Sequence, residues 1–148
     1  GKRSGTENVA GAASMAKALR LVLEKAEEKQ NDQREIKKYL VQQLEGYKKV
    51  SVFSQKDGSP HILCFALKGI RGEVMVHAFE KKEIYISTTS ACSSRNGTTS
   101  STLVAMNVPE KIATSAVRIS LTDTNKLEEA KIFMEEFDHL YQQFKDIK

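Results

Sequence analysis

Three stretches of this sequence bring together residue types that can do chemistry. In the first, residues 87–97, Cys92 stands among small hydroxyl residues and a glycine, with Arg95 three positions on. Nothing there is bulky enough to bury the sulfur or stiff enough to fix the loop. The thiol can therefore reach out and be reached, as a nucleophile or group carrier must. It attacks only as thiolate, and the nearby guanidinium favours that anion. An incidental cysteine in a serine-rich loop fits the same composition. The second stretch, Ser4-Gly5-Thr6, lies at a helix start, where unpaired N–H groups, a glycine and a hydroxyl can receive a phosphate. An ordinary helix cap fits there too. The third is Arg118 between Val117 and Ile119 on an alternating segment. A guanidinium held on a strand suits bidentate capture of a carboxylate, and a cation at a strand edge is the plainer alternative. His61, His77 and His139 have no metal-ligand spacing with one another or with Cys64 and Cys92, so no metal site is expected.

These residues need elements to position them. Val9, Ala12, Ala13, Ala16, Leu19, Leu23 and Ala26 share one side of a helix whose start has Ser4 and Glu7 at capping-box spacing and Asn8 as a competing cap. Ile36, Leu40 and Leu44 continue the period, which predicts one long helix of roughly 55 Å or two with a bend near Asn31-Asp32. Val50–Phe53 alternates like a strand, Gly58-Ser59-Pro60 turns the chain, and Ile62–Leu67 reads as a strand covered on both faces, with Cys64 a small core residue. A short helix follows over 73–81. Ile84-Tyr85-Ile86 reads as a strand, and 102–106 as a short helix with Leu103 and Met106 facing in. Pro109 begins a turn, 116–121 is a strand, and Thr124 or Asn125 caps a last helix carrying Leu127, Ala130, Phe133, Phe137, Leu140 and Phe144. This order predicts an α+β two-layer sandwich. A small mixed or antiparallel sheet of about four strands is covered mainly on one face by helices, with a long N-terminal helix.

Composition narrows the class. The 148 residues fit one domain, residues 1–148, and six Phe, four Tyr and no Trp leave the core to aliphatic side chains. The net charge of +4 is spread through helical segments, which reads as a solvated face rather than a nucleic-acid surface. The two cysteines sit in different settings, so no structural disulfide is expected and a reducing compartment, the cytoplasm, is. No apolar stretch approaches membrane-spanning length, and no membrane partner is expected. The abrupt start inside a motif suggests a fragment of a longer protein.

Taken in order, Arg3-Ser4-Gly5-Thr6-Glu7-Asn8, Gly69-Ile70-Arg71-Gly72-Glu73, Ser90-Ala91-Cys92-Ser93-Ser94 and Val117-Arg118-Ile119-Ser120-Leu121 resemble the C-terminal part of a cysteine desulfurase. These are pyridoxal-phosphate enzymes of the class V aminotransferase family. The long span from Cys92 to Leu103 resembles the subgroup with an extended cysteine loop. The resemblance implies the small domain of a fold-type I pyridoxal-phosphate enzyme. It implies that Cys92 takes sulfur from L-cysteine as a persulfide, that Arg118 holds the substrate carboxylate, and that Thr6 contacts the cofactor phosphate across a homodimer interface. Sulfur acceptors in the family include iron–sulfur scaffold proteins and transfer-RNA thiolation enzymes. The family's Schiff-base lysine follows a histidine, and no such pair occurs here, so this polypeptide alone is not expected to bind pyridoxal 5'-phosphate or to desulfurate cysteine. Ser100 and Ser101 stand where the family usually has proline and histidine, and Asn107 where glycine is common. Another class V lyase or aminotransferase, or a non-enzymatic sulfur-carrier or interaction module, are the alternatives.

Overall fold

The computed structural model describes residues 5, 7–24, 26–55, 57–89 and 100–144, the side chain of Glu28 apart. Two helical spans come first, α1 (Val9–Glu24) and α2 (Ala26–Leu44). Asn31 and Asp32 lie inside α2, so no boundary between helical spans falls at the place where the two-helix alternative put it. Asn8 caps α1, its side-chain oxygen accepting the Gly11 N–H at 2.9 Å.

The sheet comprises β1 (Val50–Val52), β2 (Ile62–Leu67), β3 (Ser87–Thr88) and β4 (Ala116–Ser120), in the order β1-β2-β4-β3. Its three pairings are all antiparallel. The remaining helices are α3 (Gly72–Glu80), α4 (Ser101–Ala105), α5 (Glu110–Ala113) and α6 (Leu127–Phe144). Alternation divides the two sheet faces. Leu63, Phe65, Leu67, Val117 and Ile119 point into the main core, where α2, α3 and α6 cover them. Along α6, Ala130, Phe133, Met134, Phe137 and Leu140 repeat at three and four and are all buried. Phe133 stacks on Phe79 with ring centroids 4.8 Å apart, and Phe137 meets Phe65 edge-on at 5.7 Å.

The opposite face is only partly covered. Ala66 and Ala116 are buried there beneath Leu103 of α4 and Ala113 of α5, with Phe53, Cys64, Val108 and Ile112 packed around them. Gly72 holds α3 against this edge. Its N–H donates to the Thr114 carbonyl at 3.0 Å, and a Cβ at this position would lie 2.8 Å from the Ala116 oxygen. Only glycine permits that approach.

Four local expectations are corrected. The strand read over Ile84-Tyr85-Ile86 begins at Ser87 instead. Glu83 takes φ 58° and the Ile84 N–H still bonds the Phe79 carbonyl, so the chain is leaving α3 where pairing was expected. Met106 is exposed, because α4 ends at Ala105 and Asn107, at φ 55°, turns the chain while Leu103 alone faces in. Neither Thr124 nor Asn125 caps α6. Glu129 reaches back to accept the Lys126 N–H at 2.8 Å, and Asn125 accepts the Thr122 N–H at 2.7 Å. The run Ile62–Leu67 is not covered evenly, since Ile62 and Cys64 are only half-buried.

Lys37 was read as one of many surface lysines, yet it is 4 % exposed. Its ammonium donates to the Gln55 carbonyl at 3.0 Å and the Ser59 carbonyl at 2.8 Å, tying the β1–β2 connection to α2. Burial holds its pKa below the ordinary lysine value, partly offset by Asp57.

Candidate functional site

Arg118 is the expected site residue that the described structure contains; Cys92 and Thr6 lie outside the described residues. Its position follows from β4's alternation. Val117 and Ile119 are buried in the main core, so Arg118 projects from the opposite face, where it is exposed. Across the sheet it faces Cys64 on β2 and Ser87 on β3.

The two neighbours differ in kind. The Cys64 N–H donates to Ser54 Oγ at 2.8 Å, and its carbonyl accepts the Phe53 N–H at 2.9 Å. Both backbone groups of Cys64 therefore point toward β1. Toward β4 it forms a non-hydrogen-bonded pair with Arg118, the arrangement that brings opposed Cα atoms to about 4.5 Å. On the other side, the Ser87 hydroxyl donates to the Arg118 carbonyl at 3.4 Å. A row Phe53, Cys64, Arg118, Ser87 thus crosses the open face. Arg118 brings a positive charge to a row otherwise neutral.

Electrostatics keep that charge available. Among the described residues no carboxylate forms an ion pair with Arg118, while Lys29, Arg71 and Lys82 each pair with one. Burial pushes the Cys64 thiol up to about 11, and the smaller effect of Arg118 pulls the other way. The thiol therefore stays protonated near neutrality and does not neutralise the guanidinium. A two-pronged cation on a strand, with no ion-pair partner among the described residues, is suited to a carboxylate ligand.

Among the described residues, Arg118 stands exposed on a sheet face. A cavity of about 870 Å³ beside α2 is lined by Arg34, Lys37, Asp57 and Ser59, and one of about 490 Å³ lies between Tyr85 and α6. Arg118 lines neither. Pyridoxal phosphate needs an amine that bonds its aldehyde and an anionic partner for its ring nitrogen. The neutral row and apolar cluster beside Arg118 provide neither, so these residues do not by themselves fit that cofactor. Among the described residues no group of three or more His, Cys, Asp or Glu could hold a metal ion. No helix there is long and apolar enough to cross a membrane.

Cys64 and Ser87 were not read as site residues. Both become neighbours of Arg118 only through strand pairing, which a single sequence does not specify; alternation marks their faces but not their partners.

The chain that builds this sheet belongs to a known family. Residues 2–133 match the class-V aminotransferase model, and the chain is a member of that family. A NifS/IcsS protein homolog of Lactobacillus delbrueckii subsp. bulgaricus is 52% identical to it, over 99% of this chain and 39% of that protein. A cysteine desulfurase IscS of Clostridium botulinum is 28% identical, over 99% of this chain and 38% of that protein. Among solved structures, a NifS-like protein matches 95% of this chain and 35% of its own, with a TM-score of 0.77 at 28% identity. The chain thus spans about two fifths of the length of these relatives.

Proposed function

We propose that residues 1–148 are the small, C-terminal part of a cysteine desulfurase of the extended-cysteine-loop kind. The observation that carries this reading is Arg118, exposed in mid-strand with no ion-pair partner among the described residues. The 52% identity to a NifS/IcsS homolog supports it. In this reading Arg118 takes the carboxylate of L-cysteine in a charge-assisted bidentate contact, worth about 1.5–3 kcal/mol per hydrogen bond. Cys92 is the sulfur acceptor. It follows Ser87, the cross-strand partner of Arg118, by five residues, so covalent geometry keeps its Cα within about 18 Å of Ser87.

The net reaction balances simply. The bond between the substrate's carbon and sulfur breaks, a sulfur–sulfur bond forms at Cys92, and the carbon keeps the electron pair and takes a proton, leaving alanine and an enzyme persulfide. Pyridoxal phosphate, where bound, supplies the electron sink for that carbon. Its lysine and ring contacts come from polypeptide beyond 1–148, and Thr6 meets its phosphate across a homodimer interface. The persulfide is then delivered to an acceptor protein in the cytoplasm, an iron–sulfur scaffold or a transfer-RNA thiolation enzyme.

The test uses the complete polypeptide containing this segment, loaded with cofactor and given L-cysteine under reductant. Arg118→Ala is expected to raise KM by at least about 10- to 100-fold, the loss of even one of the two charge-assisted hydrogen bonds. Cys92→Ala is expected to abolish sulfide release, and release at the wild-type rate would show that Cys92 is not the acceptor.

A second reading is favoured by a human relative named selenocysteine lyase, 28% identical over 97% of this chain and 34% of that protein. There the chain is part of a related class V lyase or aminotransferase, with Arg118 and Thr6 in use and Cys92 dispensable. A third is a sulfur-carrier or interaction module without catalysis of its own. Product analysis separates the three: alanine with sulfur, a different amine or keto acid, or no turnover.

A further inference from the structure

The cavity between α2 and the turn at residues 57–60 carries a charge pattern that the face around Arg118 does not use. Its floor is Lys37 and Val41, both buried. Arg34, Lys38, Gln42 and Glu45, all exposed, line one wall along α2, and the turn from Asp57 to Pro60 makes the other.

Lys37 sets the character of the floor. An ammonium carries three N–H donors. The Gln55 and Ser59 carbonyls take two of them, and the third has no acceptor among the described residues. No carboxylate among the described residues forms an ion pair with Lys37, Arg34 or Lys38 either. A buried charge met only by neutral acceptors is short of counter-charge. Asp57 acts on Lys37 against the effect of burial, but from beyond ion-pair distance. A Cβ at Gly58 would lie 3.8 Å from the Lys37 Nζ, so the glycine leaves that side of the ammonium with no side chain over it.

The charges are also ordered along the helix. Arg34, Lys37 and Lys38 occupy one end of the lining stripe, Val41 its middle and Glu45 its far end. Arg34 keeps its charge, because it donates only to the neutral side chains of Asn31 and Gln30. One Asp57 against three cations leaves that end positive. At 1.5 Å per residue, Lys37 and Glu45 stand about 12 Å apart along the axis. The fitting ligand therefore has a carboxylate at one end, an ammonium at the other and a body of about 10 Å that can lie on Val41 and Pro60. An extended tripeptide with free ends, at most about 11 Å long, has this form.

We propose that this cavity binds a short peptide with free termini, its carboxylate at Lys37, Arg34 and Lys38, its middle over Val41 and its ammonium at Glu45. A volume of about 870 Å³ accommodates such a ligand. Arg118 does not line the cavity, so this binding is separate from capture of the substrate carboxylate and stands or falls independently of the desulfurase reading.

The test titrates trialanine into the complete polypeptide by calorimetry, beside its C-terminal amide, its N-acetyl form and acetate. Saturable binding of trialanine is expected, with the amide at least about tenfold weaker through loss of a charge-assisted contact. Arg34→Gln with Lys38→Gln is expected to weaken trialanine about tenfold, roughly threefold for each exposed charge, and to leave the melting temperature unchanged. Lys37→Met removes the floor charge but also the tie to the turn, so the exposed pair is the deciding variant. Glu45→Gln is expected to weaken trialanine about threefold and to leave the N-acetyl form, which has no ammonium, unchanged. Arg118→Ala is expected to leave trialanine binding as it is. Absence of saturable binding, binding that the exposed pair leaves intact, or binding lost with Arg118→Ala would overturn the proposal. So would acetate binding as tightly as trialanine, since the cavity would then take an anion and no peptide.

Discussion

At the scale of single residues, the open face depends on what stands next to Arg118. Cys64 is short and neutral, and it faces the guanidinium in the closer type of cross-strand pair. An aspartate at this position would supply an ion-pair partner that Arg118 does not have among the described residues. Cys64→Asp is therefore expected to raise KM for L-cysteine about tenfold in the complete polypeptide, near 1.4 kcal/mol, while Cys64→Asn, of the same size, stays within about threefold. Equal effects from the two would mean that size, not charge, matters there. The thiol also links to stability. Its folded pKa, about 11, is raised above its ordinary value of 9.0, so its contribution is present below pH 9 and lost as pH rises toward 11. Tyr47 acts in the same direction. Burial first, and then donation of its hydroxyl to Asp138 at 3.0 Å, push it from 10.0 up to about 12. Denaturant melts should show stability falling from about pH 9 upward, and a rise there would contradict both assignments. Asn107 shows how far one residue could be read from sequence. Its φ of 55° is the left-handed conformation, which asparagine tolerates better than most side chains and glycine best of all. Asn107→Val is expected to cost about 1–2 kcal/mol and Asn107→Gly to be near neutral, measured by chemical denaturation.

At the scale of elements, strongly periodic segments and most short ones were legible, and the two-residue strand was not. The spacing in α6 places Phe137 in the core, and its ring lies fully buried between Phe65, Phe133, Tyr47 and Tyr141. Phe137→Ala should cost about 3–5 kcal/mol, a loss visible as a lowered denaturation midpoint. The two-residue strand β3 has no comparable signal. Ile84 and Ile86 look more strand-like, but the ladder forms at Ser87 and Thr88 because those residues lie opposite Arg118 and Val117. The same holds for Gly72, whose need for glycine comes from the Ala116 carbonyl 44 positions later in the chain. Gly72→Ala should separate α3 from β4 and cost about 1–3 kcal/mol by forcing backbone apart, again read as a lowered midpoint.

At the scale of the whole molecule, one sheet face is finished and the other is not. The helix-covered side closes around the cluster from Ile36 to Leu140, whereas the side carrying Arg118 has only α4, α5 and a small apolar group beside it. Arg118 is exposed on that side, and no residue of α1, at the start of the chain, is buried. Composition, periodicity and the ordered motifs were enough to identify the layer architecture, the class V family and Arg118 as the carboxylate candidate. Those features are local, because the identity and spacing of residues along one segment set its helical or strand period and the face each side chain takes. Tertiary structure alone decided that Cys64 and Ser87 flank Arg118, that Lys37 is buried against two loop carbonyls, and that α1 touches no core. Each of these depends on which distant segments come together, and that follows from the summed burial of many side chains rather than from any one stretch of sequence.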